Sequence, residues 1–215
     1  IPNKPCSLEE DILPNIIKKK LLTAKLYRNF FLDIGTPKYY STSAKKLKAY
    51  FKKPAAFLDR DGVINYDNGY VYKKKDFKFR NGVIKGLKYL IKKKFYIFIV
   101  TNQAGIAKGK YSEDDFKNLH MYLKNNLSSK NIHIDDVQYC PYHPNGKITK
   151  YRKKSALRKP GNQMIKNILK KWLIVKRKSF MIGDKISDEN CAKKSNLFFT
   201  YANINFYKQI KSNLK

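Results

Sequence analysis

Short apolar runs alternate with helix-periodic segments along the chain from residue 54 onward. The runs AAFL (55–58) and FYIFIV (95–100) are continuously apolar, and SFMIG (179–183) is apolar after its first residue. FYIFIV consists entirely of aromatic and β-branched residues, which is typical of a strand buried on both faces. The alternation of such strands with helices predicts an open, mainly parallel sheet with helices on both of its faces.

The segments between these runs carry apolar residues at helical spacing. In the segment 112–127, Ser112 precedes a group of acidic residues, and Phe116, Leu119 and Leu123 then recur on one face. A serine cap followed by acidic residues is a typical helix start. The other predicted elements are helices at 82–94, 162–174 and 187–194 and strands at 135–140 and 197–202.

Polar side chains follow three of the predicted strands directly. Asp59 follows the strand at 55–58, and Thr101 with Asn102 follows the strand at 95–100. Asp184 follows the strand at 179–183. In an open parallel sheet the active site lies beyond the carboxyl ends of the strands, so we expect these side chains at one edge.

The acidic residues of this edge are suited to a divalent cation. Asp59, Asp61 and Asp184 supply the oxygen ligands that Mg²⁺ prefers, and the cation would offset the repulsion between neighbouring carboxylates. A carboxylate beside a phosphoryl group can act as a nucleophile, and a second carboxylate can protonate the leaving oxygen and then activate water. The Thr101 hydroxyl, backbone N–H groups and a lysine are candidate donors to the phosphoryl oxygens.

The composition is strongly basic, with 47 lysines and arginines against 16 acidic residues and a formal net charge of +31. The lysines are spread along the whole chain, which favours a general compositional bias over a dedicated nucleic-acid surface. A basic surface would also attract a phosphorylated sugar, so charge alone does not choose between these partners.

Three further features bound the setting of the protein. No apolar run approaches the roughly 20 residues of a membrane helix, so we expect no membrane partner. The three cysteines are scattered, which indicates no disulfide framework and favours a reducing cytoplasm. The sequence starts at Ile1 without a methionine, and we interpret it as part of a longer reading frame.

Four motifs resemble those of the haloacid dehalogenase (HAD) superfamily of phosphatases. They are FLDRDGVIN (57–65), VTNQAGIAKG (100–109), RKP (158–160) and MIGDKISD (181–188). Their flanks resemble the heptose 1,7-bisphosphate phosphatases, which are related to the histidinol phosphatases, from about residue 55 to about residue 202. The resemblance implies a HAD-type, Rossmann-like three-layer fold and a phosphoric monoester hydrolase that acts on a small phosphorylated sugar.

The resemblance also implies the catalytic and metal-binding roles. Asp59 would be the nucleophile and a Mg²⁺ ligand. Asp61 would be the general acid and base, with its backbone carbonyl on the metal. Asp184 would complete the Mg²⁺ site, and Asp188 would support it.

The same resemblance implies how the phosphate and the rest of the substrate are held. Thr101 and Asn102 would bind the phosphoryl group, and Lys159 would neutralise both Asp59 and the phosphate. Arg158 would contact the second phosphate or the hydroxyls of the substrate, and Lys185 would assist beside the metal.

The chain departs from the family in its zinc loop. Family members often carry Cys-x-His and Cys-x-Cys ahead of the Arg-Lys-Pro motif, and here only Cys140 matches. His143 is one residue out of register, and Ser155 and Leu157 stand where cysteines would be. A structural zinc site takes four ligands, so we expect no zinc and a loop held by packing, through tyrosines such as Tyr151. The proline and glycine of RKPGNQM are also displaced from the family pattern, which leaves the start of the next helix open.

Residues 1–52 are predicted to be separate from the phosphatase domain at 53–215. SLEEDILP (7–14) and DIGTPKYY (33–40) resemble the C-terminal end of sugar-phosphate nucleotidyltransferases. The order helix, strand, turn, helix predicts a short α/β appendage. The alternative is a helical extension packed on the phosphatase.

The pairing of these two resemblances suggests a parent that joins a nucleotidyltransferase to a phosphatase. Such a parent would contribute to nucleotide-activated heptose for surface polysaccharide, such as lipopolysaccharide, and would favour the alpha anomer of the bisphosphate. Three alternatives stay open: a histidinol-phosphate phosphatase, a polynucleotide 3′-phosphatase, and an inactive remnant of the bifunctional parent. No basic and aromatic cluster stands out from the lysine background, which speaks against nucleic acid.

Overall fold

The structure is a computed structural model that describes residues 5–214. The chain forms two compact units, the first ending at Ala44 and the second beginning at Lys45. The predicted boundary between residues 52 and 53, and the assignment of what precedes it, stay predictions. Within the described residues, no helix combines the length and the apolar character needed to cross a bilayer.

The first unit is helical. A π-helical turn at Leu8–Ile12 continues into α1 (Leu13–Lys18), and α2 (Pro37–Phe51) starts in this unit. The Ser7 hydroxyl accepts a hydrogen bond from the Glu10 N–H, which caps the first turn.

The strand predicted within residues 1–52 is wrong. Residues 21–34 contain no strand, so the described part of the appendage is helical rather than α/β. The physical reason is that a strand satisfies its backbone groups only against a neighbouring strand, and residues 5–52 provide none. Asp33, in the second of the two motifs, instead accepts a hydrogen bond from the Gly35 N–H and closes a local turn.

The second unit is the predicted alternation of strands and helices. Its strands are β1 (Ala55–Leu58), β2 (Tyr96–Asn102), β3 (Asp136–Cys140), β4 (Phe180–Gly183) and β5 (Phe198–Tyr201). Its further helices are α3 (Val83–Lys92), α4 (Ala104–Ala107), α5 (Glu113–Ser128), α6 (Gln163–Lys171), α7 (Ile186–Lys194) and α8 (Phe206–Asn213). The sequence analysis did not predict the short helices α4 and α8.

The five strands form one sheet in the order β3-β2-β1-β4-β5, and each neighbouring pair is parallel. The predicted mainly parallel α/β sheet is therefore confirmed. The central strand β1 lies between β2 and β4, so the carboxyl ends of these three strands are adjacent. The strands most relevant to the predicted site are therefore neighbours.

Helices cover both faces of the sheet, as predicted for a three-layer fold. Along β1, Ala56 and Leu58 belong to one buried cluster, while Ala55 and Phe57 belong to the other. The first cluster includes apolar residues of α3, α5 and α8, and the second includes residues of α6 and α7. This alternation follows from the two-residue period of a strand.

The packing of α5 against the sheet allows a stability test. Leu123 is fully buried in the cluster shared with β1 and β2. We expect Leu123→Ala to lower the free energy of unfolding by about 2–5 kcal/mol, because it leaves a cavity. Urea denaturation measures this change. The exposed neighbour Lys124 provides the matched control, and Lys124→Ala should change stability by no more than about 0.5 kcal/mol. Equal effects of the two substitutions would contradict the packing.

Candidate active site

The predicted polar residues meet at the carboxyl edge of the sheet, around a cavity of about 310 Å³. Asp59 lies directly after β1, and Thr101 and Asn102 are the last residues of β2. The cavity is also lined by Asp61, Arg158, Lys159, Lys185 and Asp188. Asp184, directly after β4, belongs to the carboxylate group beside the cavity.

Three carboxylates converge at this edge. Asp59, Asp184 and Asp188 each offer an oxygen, and these oxygens lie within 4.8 Å of one another. Asp184 Oδ1 is buried and has no hydrogen-bond partner among the described residues. A buried carboxylate oxygen without a donor is costly unless a cation balances it, so this donor set fits a hard divalent cation. Asp188, expected only to support the site, is a member of the group, whereas the Asp61 carboxylate is not.

Two glycines permit the close approach of these carboxylates. Gly62 has φ of +82°, and a Cβ on it would lie 2.4 Å from Asp184 Oδ2. A Cβ on Gly183 would lie 2.2 Å from the Cβ of Asp188. Any side chain at either position would push a carboxylate away from the group, so the site requires glycine at both positions.

Lys159 is the buried counter-charge of the site. It is 2% exposed, and its Nζ lies 3.0 Å from Asp59 Oδ2 and 2.5 Å from Asp188 Oδ1. It also donates to the Val100 carbonyl oxygen at 2.9 Å. Two carboxylates and one carbonyl oxygen therefore surround the ammonium group of Lys159.

The side chain of Asn102 fixes the backbone of Lys159. Its Oδ1 accepts from the Lys159 N–H at 3.0 Å, and its Nδ2 donates to the Lys159 carbonyl oxygen at 3.1 Å. Asn102 was predicted to bind the phosphoryl group. In this structure its side chain attaches the loop that carries Lys159 to the end of β2.

The pKa values of the side chains in this group depend on burial and on one another's charges. Burial raises the pKa of Asp59 to about 7, against the opposing effect of Lys159. Burial likewise raises the pKa of Asp184. For Lys159, burial alone would lower the pKa, but the carboxylates of Asp59 and Asp188 outweigh it and raise the pKa. Lys159 alone therefore does not balance the negative charge of the carboxylates, and a cation would do so.

Asp61 lies in a separate hydrogen-bond network. Burial alone would raise its pKa, but the Arg60 guanidinium, with further donors from Asn65 and Gln103, holds the pKa below its ordinary value. Arg60 Nη2 donates to Asp61 Oδ2 at 2.9 Å, and Asn65 Nδ2 donates to Asp61 Oδ1 at 2.9 Å. Sequence reasoning missed Asn65 and Gln103 as site residues and gave Arg60 no role, although all three lie within the quoted motifs.

The rim of the cavity is basic. Lys185 Nζ lies 3.1 Å from Asp67 Oδ2 and 3.8 Å from Asp184 Oδ2, which links the loop after β1 to the start of α7. Lys108 Nζ donates to the Tyr70 hydroxyl at 3.0 Å. Arg158 is half-buried beside the cavity and approaches the Tyr142 carbonyl oxygen at 3.5 Å.

The loop between β3 and α6 is held by tyrosines and one carboxylate. Glu113 accepts hydrogen bonds from the hydroxyls of Tyr139 and Tyr151, the latter at 2.7 Å. Cys140 is buried in the apolar cluster under α6. The packing role predicted for these tyrosines agrees with the structure, but the part of Glu113 was not foreseen. The absence of zinc stays a prediction.

Two solved structures resemble this fold. A HAD-like phosphatase from Mesorhizobium loti aligns with a TM-score of 0.69 and 23% identity, covering 76% of this chain and 86% of that one. The D,D-heptose 1,7-bisphosphate phosphatase of B. bronchiseptica, complexed with magnesium and phosphate, aligns with a TM-score of 0.63 and 21% identity. This second likeness covers 75% of this chain and 86% of that one. At these identities the likeness concerns the fold.

The sequence itself carries closer similarities. Residues 54–214 match the protein family described as polynucleotide kinase 3 phosphatase. The D-glycero-beta-D-manno-heptose-1,7-bisphosphate 7-phosphatase of Rhodopseudomonas palustris is 41% identical over 146 residues, which are 68% of this chain and 81% of the relative. The enzyme of the same description from Escherichia coli K12 is 39% identical over 144 residues, 67% of this chain and 75% of the relative.

The parallel sheet, the carboxylate group and the buried lysine are those expected of a phosphoric monoester hydrolase of the HAD type. With about two-fifths of its residues shared over the catalytic domain, the chain belongs to the family of D-glycero-beta-D-manno-heptose-1,7-bisphosphate 7-phosphatases.

The Glu113 cluster predicts how stability depends on pH. Hydrogen bonds from Tyr139 and Tyr151 hold the pKa of Glu113 below its ordinary value of 4.5. A carboxylate with a depressed folded-state pKa stabilises the fold above its unfolded pKa, and this stabilisation is lost as the pH falls through the folded value. We therefore expect wild type to unfold at a higher temperature than Glu113→Gln at pH 7, with the difference shrinking below about pH 4.5.

Thermal unfolding between pH 7 and pH 3.5 would measure this difference. Asp114→Asn is the matched control, because Asp114 is exposed and its ion-pair partner Lys117 is exposed too. A difference between wild type and Glu113→Gln that stays constant over the whole range would contradict the role given to the Glu113 carboxylate.

Proposed function

We propose that this protein hydrolyses the C7 phosphate of a D-glycero-D-manno-heptose 1,7-bisphosphate with the help of Mg²⁺. The observation that supports this most strongly is the arrangement around Asp59, where two further carboxylates and the buried Lys159 border one cavity. The chain that carries this arrangement is itself about 40% identical to phosphatases named for this substrate.

Asp59, Asp184 and Asp188 are the residues that would hold Mg²⁺. The partnerless Asp184 Oδ1 and the convergence of three carboxylate oxygens support this assignment. The backbone carbonyl of Asp61 is proposed as a further ligand. When bound, the cation supplies positive charge that binds and orients the phosphoryl oxygens.

In the first step, a carboxylate oxygen of Asp59 attacks the phosphorus of the C7 phosphate. The bond from phosphorus to the sugar oxygen breaks, and Asp61, whose protonated form the charge of the bound phosphate would favour, gives that oxygen a proton. The product is an aspartyl-phosphate on Asp59 and a heptose that keeps its other phosphate. Lys159 and the Thr101 hydroxyl stabilise the charge on the phosphoryl oxygens.

In the second step, water attacks the phosphorus of the aspartyl-phosphate. Asp61, now a carboxylate, takes a proton from this water, and the bond between phosphorus and the Asp59 oxygen breaks. Inorganic phosphate leaves, and both aspartates return to their starting states. Lys159 keeps the regenerated Asp59 carboxylate in place through its ion pair.

The rim of the cavity suits a substrate with a second anionic group. Arg158 and Lys185 line the cavity and are proposed to contact that group or the sugar hydroxyls. The sequence analysis favoured the alpha anomer. The relatives are named for the beta anomer, and we now propose beta for this chain.

The setting of the reaction follows from the same proposal. The product would enter the synthesis of nucleotide-activated heptose for surface polysaccharide, in the cytoplasm. Residues 1–52 are proposed to be the end of a sugar-phosphate nucleotidyltransferase domain, on the strength of the two N-terminal motifs.

A second candidate is the 3′-phosphate of a nucleic acid. The family description of the match at residues 54–214 and the net charge of +31 favour it. The identity to heptose bisphosphate phosphatases favours the sugar. The substrate panel described below includes both.

Binding of Mg²⁺ predicts a shift in thermal stability that does not depend on activity. A ligand that binds only the folded state at 100 times its Kd adds about 2.7 kcal/mol to the free energy of unfolding. We expect Mg²⁺ to raise the Tm of wild type, and Asp184→Asn to lose most of this rise. In metal-free buffer the variant should unfold at the same or a higher temperature, because it removes a partly buried carboxylate whose pKa is raised.

Asp76→Asn is the matched control for this measurement, because Asp76 is exposed and lies outside the carboxylate group. It should keep the full response to Mg²⁺. An undiminished response in Asp184→Asn would show that the cation binds elsewhere.

Phosphate release tests the reaction itself. The panel contains both anomers of heptose 1,7-bisphosphate, histidinol phosphate and a 3′-phosphorylated oligonucleotide, each with Mg²⁺. We expect the beta anomer of the sugar to give the highest kcat/KM. Asp59→Asn should lower it by at least about 10³-fold, because it removes the nucleophile.

Each other outcome of the panel has a distinct meaning. Preference for the oligonucleotide would replace the sugar by nucleic acid and give the net charge a function. Release that persists in Asp59→Asn would rule out the aspartyl-phosphate route. No release from any substrate by a folded, Mg²⁺-binding chain would favour the inactive remnant.

A further inference from the structure

Gln103 lies at the meeting point of the phosphoryl-binding and proton-transfer residues. It follows β2 directly and is 1% exposed. Its Nε2 donates to Asp61 Oδ2 at 3.0 Å and to Thr101 Oγ1 at 2.8 Å. Its Oε1 accepts from Arg60 Nη2 at 3.2 Å and from the Tyr111 hydroxyl at 2.6 Å. All four hydrogen-bonding positions of the amide are therefore used.

The chemistry of the neighbours fixes which way this amide points. A guanidinium only donates, so the atom that faces Arg60 must be the oxygen. With the oxygen toward Arg60, the nitrogen faces Asp61 and Thr101. Reversal of the amide would set donor against donor at Arg60. Tyr111 further secures the oxygen side, because its hydroxyl is buried against Gln103.

This fixed orientation decides where the Thr101 proton goes. Because Nε2 of Gln103 donates to the Thr101 oxygen, the hydroxyl keeps one hydrogen to give to another acceptor. No described residue accepts that hydrogen, and Thr101 borders the cavity. The hydroxyl is thus set as a donor toward the place where a phosphoryl oxygen would lie.

The same nitrogen helps to hold the carboxylate of Asp61. Arg60 donates through Nε and Nη2 to both oxygens, Asn65 donates to Oδ1, and Gln103 donates to Oδ2. Arg60 is itself anchored by the Val71 carbonyl oxygen at 2.9 Å. Gln103 is the link between this group and Thr101.

We infer that Gln103 is a positioning residue that aligns the Asp61 carboxylate with the leaving oxygen and the Thr101 hydroxyl with the phosphoryl group. The inference rests on the proposed function, since it assigns Asp61 the protonation of the leaving group. It adds a specific consequence: loss of Gln103 impairs the cleavage of phosphates whose leaving oxygen needs a proton. An alkyl phosphate, such as a sugar phosphate, needs that proton. An aryl phosphate with a stabilised leaving anion does not.

The test compares two substrates in one variant. Gln103→Met keeps the length of the side chain and removes its polar atoms. The kcat/KM values for the sugar bisphosphate and for p-nitrophenyl phosphate report aspartyl-phosphate formation, so hydrolysis of the intermediate does not blur the comparison. General acid catalysis contributes about 10²–10⁴-fold, so we expect a loss of roughly that size for the sugar and less than about tenfold for the aryl phosphate.

A matched control and a second variant make the result decisive. Gln138→Met makes the same change on β3, at a half-buried position outside the cavity lining, and should leave both values within about twofold. Gln103→Glu keeps acceptors for Arg60 and Tyr111 but loses both donations, so it should show the same selective loss. It replaces Gln103→Met if that variant does not fold.

Equal losses on both substrates, or no loss on either, would overturn the inference. The Asp59→Asn variant separates this result from the proposed function. If Asp59→Asn is inactive while the Gln103 variants resemble wild type, the reaction stands and the inference fails. If wild type prefers another alkyl phosphate, the sugar assignment fails, and the comparison is made with that alkyl phosphate.

Discussion

The ion pairs of buried Lys159 are the interaction on which the rest of the site depends. A parallel sheet delivers the residues after its strands to one edge, and here that geometry brings carboxylates together out of water. Lys159 offsets two of them directly, and Asn102 and the Val100 carbonyl hold it where it can do so. Removing one partner of a buried pair typically costs about 3–5 kcal/mol, so loss of the lysine would destabilise the fold. The two glycines that admit Asp184 and Asp188 serve the same convergence.

The strands and the aspartates could be read from the sequence, whereas their partners could not. The run FYIFIV predicts a buried strand, and a residue directly after such a strand is expected at the carboxyl edge of the sheet. Lys159 lies in a loop among many lysines, so its burial depends on contacts distant in sequence, and only the family resemblance pointed to it. Gln103 and Arg60 stood within recognised motifs, but their importance depends on which atoms face each other, and a sequence pattern does not encode that. The strand predicted before residue 37 does not form. Local propensity favours a strand there but does not show whether a partner strand is available.

The loop between β3 and α6 is held by ordinary side-chain contacts. Two tyrosine hydroxyls converge on the Glu113 carboxylate, and this side chain belongs to the first turn of α5. The loop is thereby attached to a helix. The same loop leads into Arg158 and Lys159, so its attachment bears on the site. A carboxylate with two phenol donors is sensitive to acid, whereas a four-ligand metal site is sensitive to chelators.

The end of β2 places three different tasks on three successive residues. Thr101 borders the cavity, Asn102 holds the backbone of Lys159, and Gln103 joins Asp61 to Thr101. Side chains alternate between the two faces of a strand. A shift of the strand register by one residue would therefore move all three side chains to other positions. Pairing with β3 through Asn102 and Cys140 fixes the same register from the other side. An insertion or deletion within residues 101–103 would therefore disturb all three contacts at once.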